Sequence, residues 1–409
     1  MQTLRLKLLD NFVCLAGDCP DTCCRQWEIP VDEATWNAWN RLPEKARSDL
    51  TLGVVTRPYP EGRREHGLKK NGDGFCVFLA ESGMCGVQKQ YGHDMLPKSC
   101  RDYPRQDLSY EGGHVTAMTC SCPRVLQMLL DEAARGRAPG RLFSRQTQET
   151  ARPKADSEIF SLAQLTDFLF LVMDQSEVAL GVRIYYLVEV LKGMQEAEMR
   201  GGLTAESFRK LCKPNEKSIR KQLRNLAEKA RKQRLRSAPA RSGECWQRMF
   251  SRLWPKFAPE IDETRLASAT FELLYKGLAR SEDDTAEQQR YFGNIGNRVH
   301  KAAQGLRGRY RDALASYLLI RLVSSGFPFY SELHKDLRVF QANFIQVAMA
   351  SLLLWCANEK GPIDDDAFVD IVHRVDRRFG NSRLILELVD EYPQLFDLST
   401  CRQIALLLG

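Results

Sequence analysis

The sequence predicts a mainly α protein, in which an irregular, cysteine-rich, metal-binding head precedes a helical body and no Rossmann sheet is formed. Three observations lead there. Nine of the 13 cysteines fall within the first 122 of 409 residues. The stretch from Met1 to Arg124 is dense in Gly, Pro and Asp and holds only short apolar runs, so its backbone needs an organiser other than a large core, and a metal supplies one. Beyond it, apolar residues recur at helical spacing, and strands do not alternate with helices in the way that builds a parallel sheet. With 44% hydrophobic and 27% charged residues the composition is that of an ordinary globular protein, which excludes collagen-like and wholly disordered classes.

Taken in order, the opening MQTLRLKLLDNFVC has neither a sustained apolar core nor a small-residue cleavage site, so a cytoplasmic protein with reduced thiols is expected. Phe75 to Leu79 and Met84 to Val87 read as two short extended arms around Glu81-Ser82-Gly83, a turn that brings Cys76 and Cys85 together. Residues 125–134 suit one short helix, and the polar, Pro- and Gly-interrupted run after them marks a junction. The expected division is 1–124 cysteine-rich domain, 125–157 short helix and linker, and 158–409 α-helical domain. Helices are expected at 158–173, 178–199, 216–236, 264–280, 308–324, 333–357, 364–379 and 383–390. The longest apolar stretches, Ala313 to Val323 and Phe344 to Ala357, fall short of the roughly 18 residues of a spanning helix and are interrupted by Arg321, Gln346 and Ser351. They read as core helices, and no membrane is expected.

Residues 200–256 hold 17 Lys or Arg against four Glu and no Asp, while the rest of the chain has 42 basic and 48 acidic residues. Such a run is a solvated helix face or a surface for an acidic protein; without an RNA-binding signature or interleaved aromatic residues, nucleic acid is not expected. Cys212, Cys245, Cys356 and Cys401 are scattered and read as small buried apolar residues.

Chemistry concentrates in Cys14-x4-Cys19-x3-Cys23-Cys24, Cys76-x8-Cys85, the run Pro97-Lys98-Ser99-Cys100-Arg101-Asp102-Tyr103-Pro104, and Cys120-Ser121-Cys122-Pro123. Closely spaced thiolates select zinc or an iron–sulfur centre. No CxxC knuckle occurs, and the adjacent Cys23-Cys24 and the proline after Cys122 sit better with iron–sulfur ligation, although spacing alone leaves zinc open. Gln26 stands where the CxxxCxxC of radical S-adenosylmethionine enzymes would need its third cysteine.

These motifs resemble the cysteine-cluster proteins of the YkgJ type. More narrowly, Asn11-Phe12-Val13-Cys14, Ser121-Cys122-Pro123 and Gly326-Phe327-Pro328-Phe329 ahead of long helices resemble the flagellin lysine-N-methylase (FliB) family. The resemblance implies a cytosolic enzyme that transfers methyl from S-adenosylmethionine to the ε-amino groups of flagellin lysines and carries a [4Fe-4S] cluster. The family's cysteine pattern falls on Cys14, Cys19, Cys23, Cys24, Cys76, Cys85, Cys100 and Cys122, with Cys120 a non-ligand neighbour. Eight positions exceed the four ligands of one cluster, so there are two centres or some of these cysteines pack nearby.

No GxGxxG turn marks a donor site, and Gly293-Asn294-Ile295-Gly296 reads as a helix junction. Methyl transfer to lysine needs a neutral amine, hence a proton acceptor. Tyr91, His93, Asp102, Tyr103 and Tyr110 lie near the cysteine motifs, with structural roles ranked first. His300, His334 and His373 read as core or surface histidines. Two other functions remain open to the sequence, a metal-stabilised protein-binding module and a redox sensor.

Overall fold

The computed structural model describes residues 2–25, 27–58, 64–110, 113–147, 162–201, 210–211, 215–236, 238–258, 271–272, 274, 285–306, 308–328, 333–380, 384–405 and 408. They form two compact units. One, the cysteine unit, comprises Asn11–Gln106 with Cys122–Arg124; the other, the helical unit, comprises Met1–Asp10, Asp107–Ser121 and Val125–Gly409.

The helical unit is built around helices Arg309–Ser324 and Leu333–Lys360. Residues 313–324 of the first and 342–356 of the second are buried without a break, as suits helices apolar on every face. Leu333–Lys360 is long and apolar enough to cross a membrane, but its most apolar stretch is 94% buried inside the protein. The polar residues interrupting these runs find partners inside the protein. Ser351 Oγ donates to the Val347 carbonyl at 2.8 Å. Gln346 Nε2 reaches the Asp376 carboxylate at 2.7 Å, which also receives the hydroxyls of Tyr317 and Thr119, each at 3.1 Å. Arg321 lies 3.4 Å from the same carboxylate and donates to the Gly380 carbonyl at 2.6 Å. Burial, then the Asp376 charge, pushes the Tyr317 phenol well above its ordinary value.

The expected helices are present at Leu162–Met173, Leu180–Met199, Glu216–Arg236, Asp365–Val375 and Leu384–Glu391 as well. The one expected at 264–280 lies almost wholly outside the described residues. Among the described residues of this unit three helices had not been expected: Ala238–Phe257, Thr285–Gly305 and Leu398–Ala405. Gly293 and Gly296 are inside the second of these rather than at a junction. A Cβ on Gly243 of the first would stand 2.0 Å from the Phe292 carbonyl oxygen and 2.9 Å from the Gly296 nitrogen, so glycine is what lets the two helices approach.

A four-stranded sheet has the order β5-β6-β1-β7, where β1 is Gln2–Leu6, β5 Arg105–Tyr110, β6 Gly113–Met118 and β7 Phe143–Thr147. β1 runs parallel to β6, with Leu4 opposite Val115, and antiparallel to β7. Leu4, Leu6, Val115 and Ala117 are fully buried, the alternation of a half-buried sheet. β7 lies in the segment expected to be a linker; its partner, β1, is more than a hundred residues away in sequence, and no local pattern announces such a pairing.

The cysteine unit carries the antiparallel sheet β2-β4-β3, with β2 Pro30–Val31, β3 Val54–Pro58 and β4 Arg64–Leu68. Four short helices accompany it: α1 Glu33–Asn40, α2 Glu44–Thr51, α3 Gly86–Tyr91 and α4 Lys98–Asp102. Trp39 of α1 is fully buried, and its indole donates to the Met95 carbonyl at 2.8 Å. The Phe78 ring packs edge-on against it, and a Cβ on Gly53 would fall 2.2 Å from that ring. The two extended arms reduce to isolated bridges, Lys70 with Cys76 and Leu79 with Cys85, because the chain turns helical at Gly86.

Candidate functional site

The cysteine unit gathers its thiols around one small apolar cluster. Cys76 is buried within that cluster beside Ile29, Trp39 and Leu68, and Cys24, Cys85 and Cys100 pack against it. Backbone bonds set the positions. The Cys24 carbonyl accepts the Cys76 N–H at 2.7 Å and the Lys70 ammonium at 3.3 Å, tying residues 46 to 52 positions apart. Asn71 Oδ1 accepts the N–H groups of Asp73 and Phe75, a turn that delivers Cys76. Cys85 immediately precedes α3 and Cys100 lies inside α4.

Asp32 places two elements at once. Its carboxylate caps α1 by accepting from the Thr35 N–H at 3.1 Å and hydroxyl at 2.8 Å, and it also accepts the Lys98 N–H at 2.7 Å at the start of α4. Burial works against the charge, but the Lys98 and Thr35 bonds outweigh it and hold the carboxyl below its ordinary value. The loop carrying Cys14 and Cys19 is fixed by close approach. A Cβ on Gly17 would stand 2.8 Å from the Ser82 oxygen, and Gly83, at φ +74°, would meet the Gly17 backbone at 3.2 Å.

The electrostatics of the thiols record their proximity. Burial, then the charges of Cys24, Cys76 and Cys85, pushes the Cys100 thiol up to about 12. Burial followed by Cys24 and Cys85 raises Cys76, and burial followed by Cys24 raises Cys85. Cys23, whose surface is exposed, is raised first by its hydrogen bond with Cys24, and then by crowding and by Cys24, Cys100 and Cys14. Six of the eight expected positions, Cys14, Cys23, Cys24, Cys76, Cys85 and Cys100, thus lie within electrostatic reach of one another in linked pairs. Cys19 Sγ donates to the Asp21 carbonyl at 3.1 Å, and Cys122 is buried at the start of helix Pro123–Ala134. Cys120 is wholly buried in the helical unit, near Tyr317.

The twelve described cysteines are thiols rather than disulfides; Cys212 lies outside the described residues. Among the described residues no group of three or more His, Cys, Asp or Glu side chains is placed to hold a metal ion. The donor chemistry nevertheless fits a soft metal centre. Thiols that resist losing protons because they are buried, and then because other thiols stand close, are those whose thiolates a central cation stabilises most.

No family model and no solved structure matches the chain. Curated proteins do. A lysine-N-methylase of Salmonella typhimurium is 26% identical over 133 residues, which cover 30% of this chain and 31% of that protein. The flagellar biosynthetic protein FliU of Salmonella muenchen is 27% identical over 133 residues, covering 30% of this chain and 73% of that protein. A lysine-N-methylase of Salmonella choleraesuis matches at 26% with 31% of its length covered. The likeness is to lysine-N-methylases. The chain matches about a third of the length of the two that bear that name.

Titratable groups near the cysteine motifs are engaged locally. The Tyr91 hydroxyl lies 3.5 Å from Asp49, and desolvation followed by that carboxylate raises its phenol above the ordinary value. A phenol so shifted stays protonated near neutral pH and accepts no proton there. Asp102 pairs with Lys98 one turn away, and the Tyr103 ring leans on Trp27 at 5.9 Å. Trp27 in turn donates its indole N–H to the Cys23 carbonyl at 2.5 Å. Tyr110 belongs to the helical unit, where it donates to the Ser324 carbonyl at 2.5 Å. His373 is buried and bonds the Val369 carbonyl at 3.0 Å, as befits a core histidine. The cap at Asp32 and the Gly17–Gly83 contact escaped the sequence reading; Asp32-Glu33-Ala34-Thr35 carries a visible N-cap signature, whereas a contact between distant glycines carries none.

Proposed function

We propose that the protein is a cytoplasmic S-adenosylmethionine-dependent methyltransferase acting on the ε-amino groups of flagellin lysines, and that its activity depends on an iron–sulfur cluster of the [4Fe-4S] type. The observation that carries this reading is the gathering of Cys24, Cys76, Cys85 and Cys100 on one apolar cluster, in a chain similar to proteins named lysine-N-methylases. Those four would hold the cluster, with Cys14 and Cys23 beside them. When bound, it supplies iron whose reactivity is tuned by the sulfur ligands and the surrounding burial. The chain's own residues orient the ligands: Asp32 holds α4 and with it Cys100, and Lys70 holds the Cys24 carbonyl. The acceptor lysine must lose its proton before attack, since its ordinary pKa is about 10.4, so the rate rises with pH until the amine or its base has titrated.

The test is protein purified without oxygen, assayed for iron and sulfide and incubated with flagellin and S-adenosylmethionine, with methyl additions mapped by mass spectrometry. Iron, sulfide and lysine methylation are expected together. Cys24→Ser and Cys100→Ser should lose both metal and methylation, whereas Cys401→Ser, buried in the helical unit, should lose neither. Methylation that persists after the metal has been stripped from folded protein would reduce the cluster to a structural role. Loaded protein that methylates nothing would leave a metal-stabilised binding module.

A further inference from the structure

Lys69 and Lys70 are adjacent in sequence and differently placed. Lys69 is exposed, and its ammonium donates to the Leu52 carbonyl at 2.8 Å. Lys70 is half-buried and set among the thiols by the backbone. Strand β4 ends at Leu68, after which Asn71 turns the chain, donating its N–H to the Phe75 carbonyl at 2.8 Å and accepting the Asp73 and Phe75 N–H groups on its side chain. Lys70 thereby faces Cys76 across the turn. From there its ammonium reaches the Cys24 carbonyl at 3.3 Å, the same oxygen that receives the Cys76 N–H at 2.7 Å. One lysine thus touches the backbone that carries two of the gathered cysteines.

A carbonyl needs a hydrogen-bond donor, not a charge, and a half-buried ammonium is costly unless something negative stands near it. Among the described residues no carboxylate lies within ion-pair distance of Lys70. The groups beside it are thiols. Burial raises the Cys76 thiol, and the Phe78 N–H and then the Lys70 charge oppose that rise. Lys70 is therefore close enough to favour negative charge on sulfur. Thiolates that hold an iron–sulfur centre leave the whole centre negative, and one-electron reduction adds a further negative charge. A fixed cation beside the ligands favours the reduced form over the oxidised one by Coulomb attraction.

We propose that Lys70 is a positioning residue whose charge offsets that of the iron–sulfur centre held by Cys24, Cys76, Cys85 and Cys100, and so raises its reduction potential. The inference rests on the cluster reading above. It adds to that reading a role for Lys70 beyond holding the Cys24 carbonyl, and it does not depend on whether the protein methylates lysine.

The full chain, purified without oxygen and assayed for iron and sulfide, is titrated with dithionite through redox mediators while electron paramagnetic resonance counts the reduced centre. Lys70→Gln keeps a donor for the Cys24 carbonyl and loses the charge. It should hold the parent's iron and lower the equilibrium constant for one-electron reduction about tenfold, a shift of about 59 mV to more negative potential. Lys70→Arg, which keeps the charge, should stay near the parent. So should Lys69→Gln, which removes the same formal charge one residue away. A Lys70→Gln potential equal to the parent's, or a shift of the same size in Lys70→Arg or Lys69→Gln, would overturn the proposal. If Lys70→Gln loses its iron, the arginine variant decides: iron retained there supports the role of the charge, and iron lost from both reduces Lys70 to shape and overturns it. The two readings fail differently. A parent without iron and sulfide removes the cluster and this inference with it, whereas a loaded parent whose potential ignores Lys70→Gln removes the inference and keeps the cluster.

Discussion

In the helical unit fifteen consecutive residues, 342–356, are buried within a single helix, whereas the apolar cluster of the cysteine unit has nine buried members gathered from Ile29 to Leu96. The first arrangement leaves position to packing. At roughly 25 cal/mol per Å² of apolar surface, each buried Leu or Phe contributes on the order of 2 kcal/mol, and no single polar contact decides the architecture. In the second, too little apolar surface is buried for packing alone to place the chain. Single groups do it instead: Asp32 across two helix starts, Gly17 against Gly83, and the Cys24 carbonyl between Cys76 and Lys70. A unit held this way is suited to gathering thiols whose proximity is itself unfavourable, and to drawing stability from whatever binds them.

The strongest challenge to that contrast is a place where the helical unit behaves like the other. Asp376 is fully buried and collects Thr119, Tyr317, Gln346 and Arg321. Asp376→Ala strands the buried Arg321 guanidinium and should cost about 3–5 kcal/mol in urea unfolding. Asp376→Asn, which keeps a hydrogen-bonding side chain of the same shape, should cost less. A loss below about 1 kcal/mol for the alanine variant would mean that packing dominates even here.

Next in size is Asp32→Ala, which removes two helix caps in the cysteine unit and should cost about 1–2 kcal/mol. Because the folded carboxyl lies below its ordinary value, its contribution is complete above the unfolded pKa of about 3.9 and disappears as pH falls through the folded value. The difference between parent and variant in amide-exchange protection of α1 and α4 should therefore be full at pH 6 and shrink below about pH 4. A difference that persists undiminished at low pH would assign the effect to shape rather than charge.

The same contrast explains what could be read in advance. Helices such as Asp365–Val375 and Leu384–Glu391 were legible because one-sided burial writes a helical period into the sequence, and Arg309–Ser324 because its apolar run is too long for a strand. Ala238–Phe257 was not, since Pro239 and Pro255 and its many basic residues mask the apolar positions of Trp246, Phe250 and Trp254. The cysteines were visible in the sequence, yet their gathering depends on Asp32, Lys70 and two glycines whose partners lie as many as 66 residues away. The sheet that joins β1 to β6 and β7 was invisible for the same reason: Leu4 meets Val115 and Arg145, and nothing near Leu4 says so.

The smallest effect belongs to helix Glu216–Arg236, which combines both regimes. Ile219 and Leu223 are fully buried, and Arg220 is paired with Glu216 at 2.9 Å and Glu177 at 3.3 Å. Lys221, Arg224 and Lys232 are exposed and have no acidic partner among the described residues, so packing fixes the helix and leaves these charges to the solvent or a partner. If they steer an acidic substrate surface such as flagellin's, Lys221→Glu/Arg224→Glu/Lys232→Glu should leave thermal stability nearly unchanged, raise the apparent KM several-fold and flatten its salt dependence. Exposed charges act mainly on encounter and are screened beyond about 8 Å at physiological ionic strength, so the gap between parent and variant should be widest in dilute buffer. A KM and salt response identical to the parent's would return the helix to the solvated-face reading, while a marked loss of stability would show that these side chains are packed more like Arg220 than their exposure indicates.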